Sequence, residues 1–189
     1  LFGENEIGEI ISEMKKAGCF LVLMGFESLN PESLNEMHKS ANSATDYDEV
    51  IKRIYRHKLL IYGTFVLGCD NDRQDVFRRT FEFAVKNKIA VTNFNPLIPM
   101  PGTAVYKKME QDKRLIYKKW WLSDDYRYGE TAFVPKHMTA NQLRDGCLKI
   151  RTDFYSVGCI LKRLFSNPIN FLPLNFFVFV LANIISHKE

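Results

Sequence analysis

The sequence predicts an α/β fold built on parallel strands, and three observations carry that reading. Residues 59–67 form an apolar, β-branched and aromatic run that stops at Gly68 and gives way to a polar turn and then a helical pattern. That is the signature of a buried strand delivering a loop from its C-terminal end. Two other runs, residues 20–26 and 90–97, share this character. Each of the three follows an amphipathic helical segment, and the repeated helix-then-strand order belongs to a parallel sheet or barrel, whose site lies in the loops at the C-terminal strand ends. Function is therefore sought at residues 25–28, 68–72 and 95–103.

Composition sets the outer bounds. With 189 residues, 46% hydrophobic and 13% aromatic, the chain can bury one core and carry an appendage, and global disorder is excluded. The composition shifts near residue 104, which divides the chain into residues 1–103 and 104–189. A net charge of +4 is scattered through the helices without a basic block, which argues against nucleic acid. The four cysteines, Cys19, Cys69, Cys147 and Cys159, are far apart and match no metal-ligand spacing. They read as unpaired buried thiols in a reducing, cytoplasmic compartment, with Cys147 and Cys159 on one helix. The chain begins without an initiator Met, inside a helix approach, and is read as a fragment of something longer.

Taken in order, Ile7, Ile10, Ile11, Met14 and Ala17 recur at helical spacing until Gly18 stops them. The first strand follows and ends in Gly25-Phe26-Glu27-Ser28. A carboxylate just past a buried strand is costly without a partner, so Glu27 is either a ligand to something bound or a cap on a nearby turn. Asn30 and Pro31 start a short helix as N-cap and first residue. Lys39, beyond that helix, is either a cation reaching into the site or a solvated side chain. A second helix, begun by Ser43 or Thr45, puts Val50, Ile51, Ile54 and Tyr55 on one side. After the central strand, Asp70-Asn71-Asp72 lacks the glycine and closing glutamate of a calcium loop and reads as a turn and helix cap.

The following helix turns Val76, Phe77, Phe81, Ala84 and Val85 inward and ends near Asn87. After the third strand, residues 96–103 contain three prolines and a glycine, which exclude regular structure. Such a loop is either a rigid wall for a planar ligand or a stiff connector. Tyr106, Met109 and Leu115 suggest a short helix. Tyr117, Trp120, Trp121, Tyr126, Tyr128 and Phe133, interleaved with Lys118, Lys119 and Arg127, would stack bases or pack as an irregular lid, and the lid is preferred for want of a basic groove. A long helix begins at Thr139 and runs through Leu143, Cys147, Ile150, Phe154, Val157, Leu161 and Leu164. The apolar tail from Phe171 to Ile185, broken by Pro173, Asn175 and Asn183, is shorter than the roughly 20 residues that span a bilayer. It packs on the domain or dips into a membrane interface as a peripheral contact, and packing is the preferred reading.

Three of the loops, in this order, resemble the second half of the radical S-adenosylmethionine domain. The motifs are Gly25-Phe26-Glu27-Ser28 with Asn30-Pro31 and Met37-His38-Lys39; then Gly63-Thr64-Phe65-Val66-Leu67-Gly68 with Asp70 and Phe77; then Pro99-Met100-Pro101-Gly102-Thr103. Trp121, Asp125-Tyr126-Arg127-Tyr128-Gly129, Phe133-Val134-Pro135-Lys136, Gly146-Cys147 and Phe154-Tyr155-Ser156 resemble the C-terminal region of cobalamin-binding radical enzymes. The resemblance covers nearly the whole chain. Each motif alone is weak, and their order makes the set specific.

The resemblance implies a partial (β/α) barrel whose last three strands lie in this chain, followed by a helical extension. It implies that Glu27 faces S-adenosylmethionine at its ribose or methionyl part and that Lys39 meets the carboxylate. Thr64 stands where an acidic ribose ligand is frequent and offers one hydroxyl in its place. Residues 95–99 fall where backbone lies beside the adenine. The implied cofactor-binding set is Gly25, Glu27, Ser28, Lys39, Thr64, Gly68, Asn95, Pro96 and Leu97.

The chemistry implied by the resemblance also needs a 4Fe–4S cluster on three closely spaced cysteines, and in this branch cobalamin. The spacing of the four cysteines here does not supply the cluster ligands, so cluster and cobalamin are assigned to a missing N-terminal half of the same polypeptide. The parent is then a radical enzyme acting on a small molecule, with the apolar tail hinting at a lipid-like one, and this chain alone is inactive. Two other readings stay open: a membrane-peripheral or protein-interaction module, and a small non-radical α/β enzyme using Glu27 and Asp70 as acid and base.

Overall fold

The computed structural model describes residues 4–36, 44–127 and 129–188. Helix α1 (Glu4–Lys16) leads into strand β1 (Leu21–Glu27), then α2 (Pro31–Glu36), α3 (Ala44–Arg56), β2 (Leu60–Leu67), α4 (Asp75–Lys86) and β3 (Val91–Pro96). The three strands form one parallel sheet in the order β1-β2-β3, so the expected α/β class with parallel strands is what the chain adopts. Leu21 pairs with Leu60 and Tyr62 with Val91. The register of β1 shifts between Gly25 and Glu27, a bulge at the strand tip.

Alternation along the strands separates two faces. Ile61, Gly63, Phe65 and Leu67 of β2 are buried, as are Phe26 and Phe94 beside them. Phe26 stacks on Phe65 with 5.0 Å between centroids, Phe65 on Phe94 at 5.5 Å, and Phe94 meets the edge of Phe154 at 5.6 Å. This aromatic row crosses all three strands. Each buried ring contributes about 1.5–3 kcal/mol through area removed from water, with about 0.5–1.5 kcal/mol more for each well-placed pair. The opposite face carries Leu23, Tyr62, Thr64, Val66, Asn93 and Asn95, none of them fully buried.

The helices enter the strands through one repeated turn. Cys19 donates its amide to the carbonyl of Met14, Leu59 to Ile54 and Ile89 to Ala84. Each turn holds one residue in the left-handed region, Gly18 (φ 92°), Lys58 (φ 60°) and Lys88 (φ 56°). This is the Schellman ending, which satisfies the last helical carbonyls and reverses the chain within a few residues.

Past the sheet lie α5 (Ala104–Gln111), a 3-10 turn at Trp120–Leu122, α6 (Ala140–Phe154), α7 (Val157–Ser166), a second 3-10 turn at Pro168–Phe171, and α8 (Pro173–Lys188). Three expectations are corrected here. Leu115 lies beyond α5 and pairs as an antiparallel bridge with Phe133, because Lys113 (φ 55°) ends the helix and Arg114 turns back. The long helix is two: Ser156 caps α7 by accepting from the Cys159 amide, and Tyr155 leaves the helical path to donate its hydroxyl to the Thr92 carbonyl and accept from the Thr92 amide. Cys147 and Cys159 therefore sit on different helices, and the outer edge of β3 is closed by a phenol. Finally, Asp72 does not cap α4, whose N-cap Gln74 makes no side-chain bond.

The tail packs on the domain as α8. Asn183 (0% exposed) donates to the carbonyls of Ala90 and Phe179, and Asn175 (2%) donates to Lys58 and Ile169. Beside them the fully buried Arg163 donates to the carbonyls of Ile89, Ala90 and Phe154 and to Asn183 Oδ1, with its guanidinium 3.6 Å from the Phe154 ring centroid. The start of β3 is thus held by hydrogen bonds from α7 and α8. Among the described residues no helix is long and apolar enough to cross a membrane.

Candidate functional site

The C-terminal tips of the three strands lie side by side, because the strands are parallel and in register. Glu27 ends β1 in the left-handed region (φ 60°), a conformation that costs a non-glycine residue about 1–2 kcal/mol. The backbone on its N-terminal side is fixed: the Phe26 carbonyl accepts from the Tyr47 hydroxyl at 2.7 Å, and the Phe26 ring is stacked in the core. The turn folds the carboxylate back over Gly25. Glu27 Oε1 lies 3.0 Å from the point where a Cβ on Gly25 would stand, and Thr64 Oγ1 lies 3.7 Å from it. Gly25 pairs with Thr64 across the strands, so a carboxylate and a hydroxyl meet over the Gly25 backbone on the open face. That pair of oxygens can accept hydroxyl hydrogen bonds from a sugar.

The neighbouring tip is Asn95-Pro96-Leu97. Val66 pairs with Asn95 and Leu67 with Pro96, and the Leu97 amide donates to the Leu67 carbonyl at 2.8 Å. Asn95 and Pro96 line a cavity of about 410 Å³ with Ile98, Arg127, Arg144 and Arg151. The proline loop is clamped from outside, since Trp120 Nε1 donates to the Pro99 carbonyl at 2.8 Å. Trp120 in turn packs against Trp121 and Tyr126, and Trp121 against Tyr106, so the aromatic segment is a packed lid.

Other expected site residues have structural partners. Ser28 is buried and its Oγ accepts from the Asn30 amide at 3.0 Å. Gly68 has φ 94°, and a Cβ there would stand 2.3 Å from Leu143 Cδ2, so α6 packs directly on it. Its amide and that of Cys69 donate to Asp72 Oδ2, while Ser33 donates to Asp72 Oδ1. Burial pushes the Asp72 carboxyl above its usual value despite those bonds. Lys39 and Tyr128 lie outside the described residues.

Asp70 behaves differently from an acid–base group. It is 8% exposed and faces Arg114 Nη1 at 2.7 Å, Lys136 Nζ at 2.8 Å and Lys108 Nζ at 2.9 Å. Burial opposes ionisation, but the hydrogen bonds from Lys108, Lys136 and Arg114 overcome it and hold the carboxyl well below the usual carboxylate range. A carboxylate so clamped cannot take up a proton near neutral pH, which removes it as a partner for Glu27 in general acid–base chemistry. It ties α5, the turn after it and residue 136 to the tip of β2. The three cations were not found from the sequence, since they are 38 to 66 residues away and follow no periodicity. Asn93 was also missed, although alternation of Val91, Asn93 and Asn95 against Thr92, Phe94 and Pro96 marks it as facing the open side.

The thiols are dispersed. Burial pushes the Cys147 thiol up to about 12, and Cys19 lies before β1, at the end of the sheet away from the tips. Among the described residues no three His, Cys, Asp or Glu side chains are grouped to hold a metal ion. Among the described residues the four cysteines are not grouped as cluster ligands. At the tips, Glu27 Oε1 and Thr64 Oγ1 stand 3.0 and 3.7 Å from the Cβ position of Gly25, two oxygen acceptors of the kind that the hydroxyls of a nucleoside would use.

Comparison with known proteins agrees with a methyl-transfer context. No protein-family model matches the chain. It is 32% identical over 180 residues to bacteriochlorophyllide d C-12(1)-methyltransferase of Chlorobaculum tepidum, covering 95% of this chain and 38% of that protein. It is 23% identical over 155 residues to hopanoid C-2 methylase of Rhodopseudomonas palustris, covering 82% of this chain and 28% of that protein. A second Chlorobaculum tepidum protein, bacteriochlorophyllide d C-8(2)-methyltransferase, is 28% identical over 111 residues, 58% of this chain and 25% of that protein. The chain therefore spans well under half the length of the curated relatives it matches.

Proposed function

We propose that this chain is the S-adenosylmethionine-facing part of a methyltransferase of the radical S-adenosylmethionine type, with its three strands forming one side of a partial (β/α) barrel. The observation that carries the reading is the meeting of Gly25, Glu27 and Thr64 on the open face of a parallel sheet, at the strand ends where such folds place their sites. Glu27 accepts hydrogen bonds from the ribose hydroxyls or the methionyl amine, and Thr64 orients one hydroxyl. The backbone from Asn95 to Leu97 lies beside the base, and the proline loop, pinned by Trp120, keeps that backbone in place. Lys39 is assigned to the methionyl carboxylate. S-adenosylmethionine, when bound, supplies the methyl group and, on one-electron reduction, a radical. The iron–sulfur and cobalamin ligands are assigned to the part of the parent polypeptide outside this chain. The substrate is an apolar molecule under the aromatic lid, a class to which the bacteriochlorophyllide and hopanoid named in the relatives belong.

The test has two arms. In the full-length parent, Glu27→Gln removes the charge and one good acceptor while keeping shape; a charged hydrogen bond contributes about 1.5–3 kcal/mol, so S-adenosylmethionine should bind roughly tenfold to a hundredfold more weakly. Unchanged affinity would remove Glu27 from the site. In the second arm the 189-residue chain, reconstituted with iron and sulfide under reductant, should not cleave S-adenosylmethionine. Cleavage would show that the chain is self-sufficient.

A further inference from the structure

Helix α8 carries apolar residues on both faces, with Phe179 fully buried on the inner one. Its polar residues Asn175 and Asn183 point into the protein, whereas Leu174, Phe176, Phe177, Leu181, Ile184 and Ile185 face outward, Phe177 being 63% exposed. The neighbouring helix continues the pattern, since Val157, Leu161 and Phe165 recur every four residues on α7 at 60%, 47% and 69% exposure. The two helices are joined over this surface by rings: Phe165 meets Phe171 at 5.8 Å and Phe171 meets Phe176 at 6.5 Å. A contiguous apolar surface of this kind on the outside marks a place where something apolar covers it.

Charge identifies the cover. From Phe154 to Lys188, between Asp153 and Glu189, the sequence has no Asp or Glu, and its basic side chains are Lys162, Arg163, His187 and Lys188. Arg163 is buried among carbonyls, and His187 Nδ1 is within hydrogen-bond distance of the Tyr155 carbonyl. The exposed Lys162 lies within the apolar surface's own helix. Asn175 and Asn183 bond the carbonyls of Lys58 and Ala90, which places α8 beneath the N-terminal ends of β2 and β3, where the left-handed turns present Lys58 and Lys88. The Lys15 ammonium is drawn to the same place, donating to the Lys58 carbonyl. Apolar side chains bordered by cations match an anionic lipid surface, with Phe rings entering the acyl boundary and lysines meeting headgroups. A second copy would bring like charges together. A strand-pairing segment of the same polypeptide finds its free edge along β1, on the far side of the sheet from α8.

We propose that the outward faces of α7 and α8 seat the protein on an anionic membrane surface, lying in the interface without crossing it. This surface is at the opposite end of the sheet from the strand tips and stands independently of the nucleoside reading. The test is co-sedimentation of the full chain with vesicles of phosphatidylcholine mixed with phosphatidylglycerol, and with phosphatidylcholine alone, at low and high salt. Binding should favour the mixed vesicles and fall with salt. Phe177→Glu with Leu181→Glu should abolish it, and Lys162→Glu should weaken it about fivefold or more, the effect of about one surface cation. Both substitutions are at exposed positions, so the circular dichroism spectrum and melting temperature should be those of the original chain. Failure to bind either vesicle, binding unaltered by the double substitution, or a stable dimer that the double substitution dissolves would each overturn the proposal.

Discussion

Replacing Gly25 by alanine separates a site from a scaffold. The added methyl would stand 3.0 Å from Glu27 Oε1 and 3.7 Å from Thr64 Oγ1. Both are side-chain oxygens, one of them at the far end of a flexible side chain, so the fold relieves the contact by rotating Glu27. Gly25 is not in the left-handed region. An alanine there restricts the unfolded chain and returns about 0.4–1 kcal/mol, which offsets the residual crowding and leaves stability within about 1 kcal/mol of the original. Binding should respond far more. Displacing the carboxylate removes charge-assisted hydrogen bonds of about 1.5–3 kcal/mol, or roughly tenfold to a hundredfold in the dissociation constant for S-adenosylmethionine. The assay is calorimetric titration of S-adenosylmethionine into the full-length protein, with thermal unfolding measured alongside. Gly68→Ala is the contrast: φ 94° and a 2.3 Å approach to Leu143 Cδ2 make it a folding defect of about 2 kcal/mol or more. Full affinity in a well-folded Gly25→Ala protein would refute the placement of the ligand over this face.

Other expectations follow from the same contacts. Arg163→Met should lower stability in urea unfolding by about 1–3 kcal/mol for each acceptor it leaves unsatisfied, the Phe154 carbonyl and Asn183 Oδ1; a total loss under about 1 kcal/mol would show that the buried cation is dispensable. Asp70, whose folded carboxyl is held below its unfolded value of about 3.9, contributes stability that is fully present above that value and is lost as the pH falls below it toward the lowered one. Asp70→Asn should flatten that acid limb of the stability curve, and an unchanged limb would assign it to other carboxylates. Lys88→Gly, at φ 56°, should raise stability by up to about 1 kcal/mol by relieving a left-handed side chain, and a loss instead would mean the Lys88 stem packs usefully.

The strands were legible because hydrophobic runs, glycine stops and helical periodicity are local signals, and β1, β2 and β3 lie within two residues of the runs that predicted them. The tail was legible as packed rather than spanning from its length and its asparagines. The break between α6 and α7 was not. Apolar spacing through Phe154, Val157 and Leu161 continues across it, and the interruption comes from a tertiary bond, the Tyr155 hydroxyl reaching Thr92 63 residues away. The Asp70 cluster was hidden for the same reason. Sequence pattern shows where a face is buried, whereas partners brought together by the fold are set by topology.

The two ends of the sheet divide the work. At the N-terminal ends every turn is closed by backbone bonds, and Arg163, Asn175 and Asn183 hold the carbonyls of Lys58, Ile89 and Ala90. At the C-terminal ends the Glu27 carboxylate lies over Gly25, and Glu27 is held in a conformation its own side chain disfavours. Such a conformation persists only where its surroundings over-determine it. Here Tyr47 fixes the preceding carbonyl and the Phe26-Phe65-Phe94 row fixes the preceding side chain, so the core's aromatic packing is what aims the carboxylate. A core residue such as Phe26 therefore belongs to the site in effect, and the position of Glu27 depends on rings that no ligand would touch.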